Sequence, residues 1–206
     1  MALFVTLEGT EGCGKTTQAH RLGEYLRGAG HDVVNTREPG GTELTREIRR
    51  LLADPASELD RRAELLLFLA DRAQHVATVI RPALASGAVV VCDRYSDSTL
   101  AYQGYGRGHE LDMLERWNRW ASLEVVPNLT LWIDVELAVG LARAQRENGG
   151  PADRFEAEPL AFHRRIHVGF EKLARACPER IVRIDGNRSE EDVFERIKAA
   201  VEERLP

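Results

Sequence analysis

Residues Gly9-Thr10-Glu11-Gly12-Cys13-Gly14-Lys15-Thr16 satisfy the pattern G-x-x-x-x-G-K-(S/T), and each part of that pattern has a reason to lie beside a phosphate chain. Glycines let backbone N–H groups turn inward and approach phosphate oxygens closely. A helix beginning near Lys15 would aim the positive end of its dipole at the same anion. Lys15 would reach the β- and γ-phosphates, and the Thr16 hydroxyl would bind Mg2+. Gly9, Thr10, Glu11, Gly12, Cys13, Gly14, Lys15, Thr16 and Thr17 are therefore expected to cradle the phosphates of ATP. Asp93 closes a short apolar run, where a carboxylate either assists the magnesium through water or caps a turn. Arg94 follows it, and Asp-Arg beside a phosphate site suits the binding of a second anion. Cys13 has two readings: a thiol activated by inward-turned amides at a helix N-terminus, or a small residue that merely fits.

These residues need a strand in front and a helix behind. Short runs rich in Val, Ile and Leu at 3–8, 32–36, 88–93, 129–135 and 180–185 read as strands. Segments with helical periodicity lie between them. Leu59, Ala63, Leu66, Ala70, Ala73 and Ala77 fall on one face after a Ser57-x-x-Asp60 capping signal. Ser189-x-x-Asp192 opens the last helix in the same way. The alternation predicts an α/β fold, a parallel sheet covered by helices on both faces. Ligands of such sheets bind beyond the carboxyl ends of the strands, and the unusual residues fall there: after Glu8, after Thr36, at Asp93 and after Asp134. The stretch 146–154 joins two helical patterns with loop formers and basic residues. A mobile lid would look like this, and so would a plain surface loop.

At 206 residues the chain has room for one sizeable core, and a single domain over 1–206 is expected. Hydrophobic residues at 43% and charged residues at 30% are ordinary for a soluble domain. The apolar runs are too short to span a bilayer, and the first residues read as a strand, not a signal peptide. Three cysteines encode neither a disulfide framework nor a zinc site, which suits a reducing cytoplasm. A net charge of −5 argues against a nucleic-acid polymer as partner, while small anions remain open. A GTPase would need an Asn-Lys-x-Asp base reader and an Asp-x-x-Gly switch, and the chain has neither. What remains is a compact phosphotransferase with an acceptor pocket beside the phosphate loop.

Four ordered segments resemble hallmarks of one family, the thymidylate kinases: the stretch from Glu8 to Thr17, Thr36-Arg37-Glu38-Pro39-Gly40-Gly41-Thr42, Asp93-Arg94-Tyr95, and Ser98-Thr99-Leu100-Ala101-Tyr102-Gln103-Gly104. Asp153-Arg154 resembles the end of that family's lid, placing the lid at about 143–156. The resemblance implies a P-loop NTPase fold with a five-stranded parallel sheet, a homodimer, and transfer of phosphate from Mg·ATP to dTMP. It also implies that Glu11, an odd carboxylate inside an anion-binding loop, accepts a hydrogen bond from the deoxyribose 3′-hydroxyl. Arg37 and Arg94 would clamp the acceptor phosphate, since guanidinium forks match phosphate oxygens. The turn at Pro39 is rigid on any reading, and the family suggests a cis peptide before it. Phe68 and Arg72, four apart on one helix, would stack on thymine and reach its carbonyl edge. Gln103, Ser98 and Thr99 would lie along the base, and Tyr102 would crowd the place of a ribose hydroxyl.

The acceptor phosphate has a second pKa near ~6 and is already a nucleophile at neutral pH, so no base is assigned. Catalysis then reduces to alignment and charge stabilisation by Lys15, the loop amides, Mg2+ (on Thr16 and, through water, Asp93) and Arg94. Arg143, Arg146 and Arg154 flank the lid, and of these Arg143 and Arg154 are the favoured catalytic arginines. A loop with Gly12 and Cys13, and a lid with the arginines, resembles the bacterial type.

Overall fold

The structure is a computed structural model and describes residues 2–148 and 152–205. Five strands form one parallel sheet in the order β2-β3-β1-β4-β5: β1 (Phe4–Glu8), β2 (Val33–Arg37), β3 (Val89–Asp93), β4 (Leu129–Asp134) and β5 (Ile181–Asp185). Every residue of the three central strands is buried, while the edge strands β2 and β5 are partly exposed. That pattern explains the near-continuous apolar runs in the middle, because a parallel strand with helices on both faces has no solvent side.

Between the strands run α1 (Lys15–Gly28), α2 (Glu43–Ala53), α3 (Arg61–His75), α4 (Arg81–Ala85), α5 (Ser96–Thr99), α6 (Leu111–Ala121), α7 (Leu137–Asn148), α8 (Leu160–Ala176) and α9 (Glu190–Glu202). Two π-helical stretches interrupt this pattern, Val76–Ile80 joining α3 to α4 and Leu100–Gly106 continuing α5. Alternate residues of β1 serve the two faces. Val5 and Leu7 pack with Leu22, Leu26, Val193 and Ile197 of α1 and α9, and Phe4 packs with Val76, Ile80 and Tyr95 on the other side.

Register brings the chemistry to one rim. Arg37 pairs with Asp93, Asp93 with Leu7, and Glu8 with Trp132. The carboxyl ends of β1, β2 and β3 therefore lie side by side, and the residues that follow each of them meet.

One sequence expectation needs correction, the cap of α3. The N-cap of α3 is Asp60, whose Oδ1 accepts from the Arg62 amide at 3.0 Å; Ser57 lies outside the helix. The stripe of Ala63, Leu66, Ala70 and Ala77 is exposed, and Leu66 keeps 56% of its surface. The buried face of α3 instead carries Glu64, Asp71, Arg72 and His75 beside Leu65 and Leu69. Polar groups can occupy it because this face lines a pocket and each charge has partners there. The cap at Ser189 is as expected, accepting from the Asp192 amide at 3.1 Å.

Candidate active site

The phosphate loop joins β1 to α1 with three glycines in left-handed or related backbone, Gly9 (φ 145°), Gly12 (φ 63°) and Gly14 (φ 87°). Gly12 has a second reason to lack a side chain: a Cβ there would lie 1.9 Å from the carbonyl oxygen of Gly140 on α7. Unlike α2, α3 and α9, helix α1 has no side-chain cap and no acid in its first turn. Its leading amides are thus left for an anion, and the dipole adds to them. Lys15 Nζ donates to the Thr10 carbonyl at 2.7 Å and lies 3.3 Å from Cys13 Sγ. Cys13 is buried in the core cluster with Leu22 and Ile133. Thr10 is buried, and Thr17 is exposed on the first turn of α1.

Thr16 Oγ1 donates to Asp93 Oδ2 at 2.5 Å. A hydroxyl and a carboxylate oxygen side by side at the mouth of the loop form a hard, all-oxygen donor set, the kind that suits Mg2+ with waters completing an octahedron.

Glu11 turns away from the phosphate cradle. Its Oε1 accepts from Tyr102 Oη at 2.5 Å and from Arg94 Nη2 at 3.2 Å, and its Oε2 lies 3.4 Å from His163 Nδ1. Burial alone would raise its pKa, but His163, Arg94, Lys15 and Tyr102 together outweigh it and hold the carboxyl at about 2. Glu11 is therefore a fixed anion. Arg94 sits at φ 70°, and its guanidinium donates to the Gly9 carbonyl (2.9 Å) and to Ser98 Oγ (3.2 Å) as well. Strain of this kind in a non-glycine residue costs about 1–3 kcal/mol and concentrates at functional sites. Ser98 Oγ in turn donates to Glu8 Oε2 at 2.5 Å. Burial, with Asp97 nearby, pushes Glu8 up to about 7.

One pocket opens beside the loop, and all ten side chains expected around the acceptor line it: Glu11, Arg37, Pro39, Phe68, Arg72, Arg94, Ser98, Thr99, Tyr102 and Gln103. Lys15, Thr16 and Asp93 line it as well. The Glu38–Pro39 peptide is cis. Gly40 N–H donates to Asp71 Oδ1 at 2.7 Å, tying this turn to α3. Arg72, 2% exposed, donates to Glu38, Thr99 and Asn118. His75 bridges Glu38 and Thr36 at 2.9 and 2.6 Å. Gln103 Nε2 donates to Glu64 Oε1 at 3.0 Å.

Arg143 and Arg154 are not brought into this pocket. Arg143 Nη1 reaches the Gly186 carbonyl at 3.4 Å. Arg154 donates to Glu64 Oε2 at 2.6 Å and to the Leu52 carbonyl at 2.8 Å. The lid segment includes Gly149, Gly150 and Pro151, which lie outside the described residues.

Sequence reading missed several residues. Arg49 lines the pocket with Arg37 and Arg94, and burial together with those two cations lowers its pKa. It looked like one more charge on the amphipathic α2, with no local signal. Glu8, Glu64, Asn118 and His163 were also passed over, because each acquires its meaning from a partner remote in sequence. Phe155, Asp153 and Glu156 close the pocket from the lid side.

A family profile described as Thymidylate kinase matches residues 7–197. A thymidylate kinase of Gloeobacter violaceus is 54% identical over 200 residues, covering 97% of this chain and 94% of its own length. One from a Synechococcus strain is 54% identical over 206 residues, covering 99% and 96%. The crystal structure of the Ehrlichia chaffeensis thymidylate kinase superposes with a TM-score of 0.77 at 37% identity, covering 97% of this chain and 98% of that one. With a phosphate loop, a neighbouring polar pocket and full-length likeness of this degree, the chain belongs to the thymidylate kinase family.

Proposed function

We propose that this chain transfers the γ-phosphoryl group of Mg·ATP to dTMP, giving dTDP and ADP, with 1–206 acting as one kinase domain. The observation that carries the reading is the single pocket in which Glu11, Arg37, Arg94, Phe68, Arg72 and Gln103 converge within reach of Lys15 and Thr16. The loop amides and Lys15 hold the donor phosphates. Arg37 and Arg94, with Arg49 beside them, hold the acceptor phosphate as guanidinium forks do. Phe68 offers a ring face to the base. Arg72 and Gln103 address its polar edge from side chains already locked by Glu38 and Glu64, so little rotamer entropy is lost on binding. Tyr102 and Glu11 address the sugar.

The acceptor is its own nucleophile, so the protein's work is alignment and charge stabilisation. Mg2+, held by Thr16 and through water by Asp93, would neutralise charge on the donor phosphates. Closure of the lid would exclude water. For Arg143 or Arg154 to act on the transferred group, each must first leave its present partner.

Two further readings go with this one. The exposed apolar stripe of α3, with Trp117 (40% exposed) and Trp120 (78%) on α6, a helix that packs against α3, supports a homodimer. Three free cysteines support a cytoplasmic setting; no helix among the described residues is long and apolar enough to cross a membrane. ADP formation measured with Mg·ATP and dTMP, dUMP, dCMP or AMP tests the central proposal. We expect turnover with dTMP well above the others, and ADP formation indifferent to dTMP would refute it.

A further inference from the structure

His163 is fully buried on α8, the helix that returns from the lid. The depth of α8 is set by close contacts that only glycine permits. A Cβ on Gly106 would meet the Phe162 ring at 2.7 Å, and one on Gly169 would meet Tyr105 at 2.7 Å. The neighbouring Phe162 packs edge-on against Tyr102. The imidazole is thus delivered to one place by packing.

At that place neither ring nitrogen has a well-aligned hydrogen-bond partner among the described residues. The same holds for one atom of Glu11, its Oε2. These unsatisfied atoms face each other, His163 Nδ1 lying 3.4 Å from Glu11 Oε2, slightly beyond the usual range of such a bond. Leaving a buried polar group unsatisfied is costly, and such groups in native folds call for an explanation. The other carboxylate oxygen already takes Tyr102 and Arg94. Two donors, Tyr102 and Arg94, and a buried imidazole therefore surround a carboxylate that begins inside an anion-binding loop, where a triphosphate would repel it.

We propose that His163 is a positioning residue for sugar recognition: its Nδ1–H holds Glu11 Oε2, keeping the carboxylate on the acceptor side, where it receives the 3′-hydroxyl of the nucleotide. The inference rests on the reading of Glu11 as the sugar-hydroxyl acceptor. The low pKa of Glu11, to which His163 contributes, agrees with it. Because α8 follows the lid directly, the same contact ties the lid's return to the phosphate loop.

The test compares dTMP with 3′-deoxy-dTMP, which lacks only the hydroxyl. His163→Leu keeps the bulk and removes the donor, whereas His163→Asn places an amide near the Nδ1 position. We expect His163→Leu to lower kcat/KM for dTMP about tenfold, mainly through KM, the size of one lost charge-assisted hydrogen bond. The KM for ATP and the kcat/KM for 3′-deoxy-dTMP should stay nearly unchanged, and His163→Asn should recover most of the loss. Equal losses on both acceptors, or an Asn variant no better than Leu, would overturn the proposal. Glu11→Gln separates the two levels. If it leaves the preference between the acceptors untouched, the reading of Glu11 falls and the inference with it. If it erases the preference while His163→Leu does not, only the role of His163 falls. Should His163→Leu fail to fold, His163→Gln, which places its amide at the Nε2 side, takes its place with the same expectations.

Discussion

Single residues at this site hold unusual protonation states because burial and neighbours pull in known directions. Asp71 lies under the Pro39 turn with Oδ1 on the Gly40 amide, and its Oδ2 has no well-aligned hydrogen-bond partner among the described residues. Burial first, and then the charge of Glu38, raises its pKa from 3.8 to about 6. A raised carboxyl pKa means the folded state keeps a proton that the unfolded state has lost. Unfolding therefore releases that proton between pH 3.8 and about 6, and stability falls as pH rises through this window. Above it the full cost remains, on the order of 3 kcal/mol as an upper bound at 1.36 kcal/mol per unit. Asp71→Asn keeps an acceptor for Gly40 and cannot ionise. Its melting temperature should exceed the parent's by several degrees at pH 8 and by less at pH 5. An equal gain at both pH values would mean that ionisation of Asp71 is not the cause.

Glu64 joins three elements around the pocket. This buried carboxylate on α3 accepts from Gln103 of the π-helical stretch, from Arg107, and from Arg154 at the end of the lid. Those cations, with Gln103, lower its pKa against the effect of burial. Arg154 also donates to the Leu52 carbonyl, so it clamps α2, α3 and the lid end together. Arg154→Ala should lower thermal stability by about 1–3 kcal/mol, because the loss leaves a buried charge less compensated. It should also raise KM for dTMP, because Gln103 shares the same anchor. A variant with unchanged melting temperature and only a lower kcat would instead place Arg154 at the transferred phosphate. None of this was legible locally. The strands were, to within a residue, because runs such as Val89–Cys92 follow from burial on both faces. The phosphate loop was, because its backbone demands glycines at set positions. Glu64, Asn118, Arg49 and His163 were not, since a charge on a helix looks the same in sequence whether it faces water or a partner many residues away. The stripe on α3 was legible as one face, but apolar periodicity marks a face to be covered and not what covers it.

That stripe matters most for the molecule as a whole. Helix α3 packs on α6 through Leu65, Leu69, Leu114 and Ala121, yet Ala63, Leu66 and Ala70 of α3, Ala77 of the π-helical stretch that follows it, and Trp120 of α6 face outward. Scattered exposed apolar side chains are ordinary, but an apolar helix face and two tryptophans on a pair of packed helices suit a surface of association. Small residues such as Ala63, Ala70 and Ala77 let a second helix approach closely. The opposite face of α3 carries Phe68 and Arg72 into the pocket, so pairing along the outer face would brace the wall that reads the base. Leu66→Glu places a charge in the middle of that face without touching the pocket. Sedimentation should show the parent as a dimer at micromolar concentration and Leu66→Glu as a monomer, with a higher KM for dTMP and an unchanged KM for ATP. A monomeric parent, or a variant that still dimerises, would show that this face serves some other purpose and that the pocket wall stands unaided.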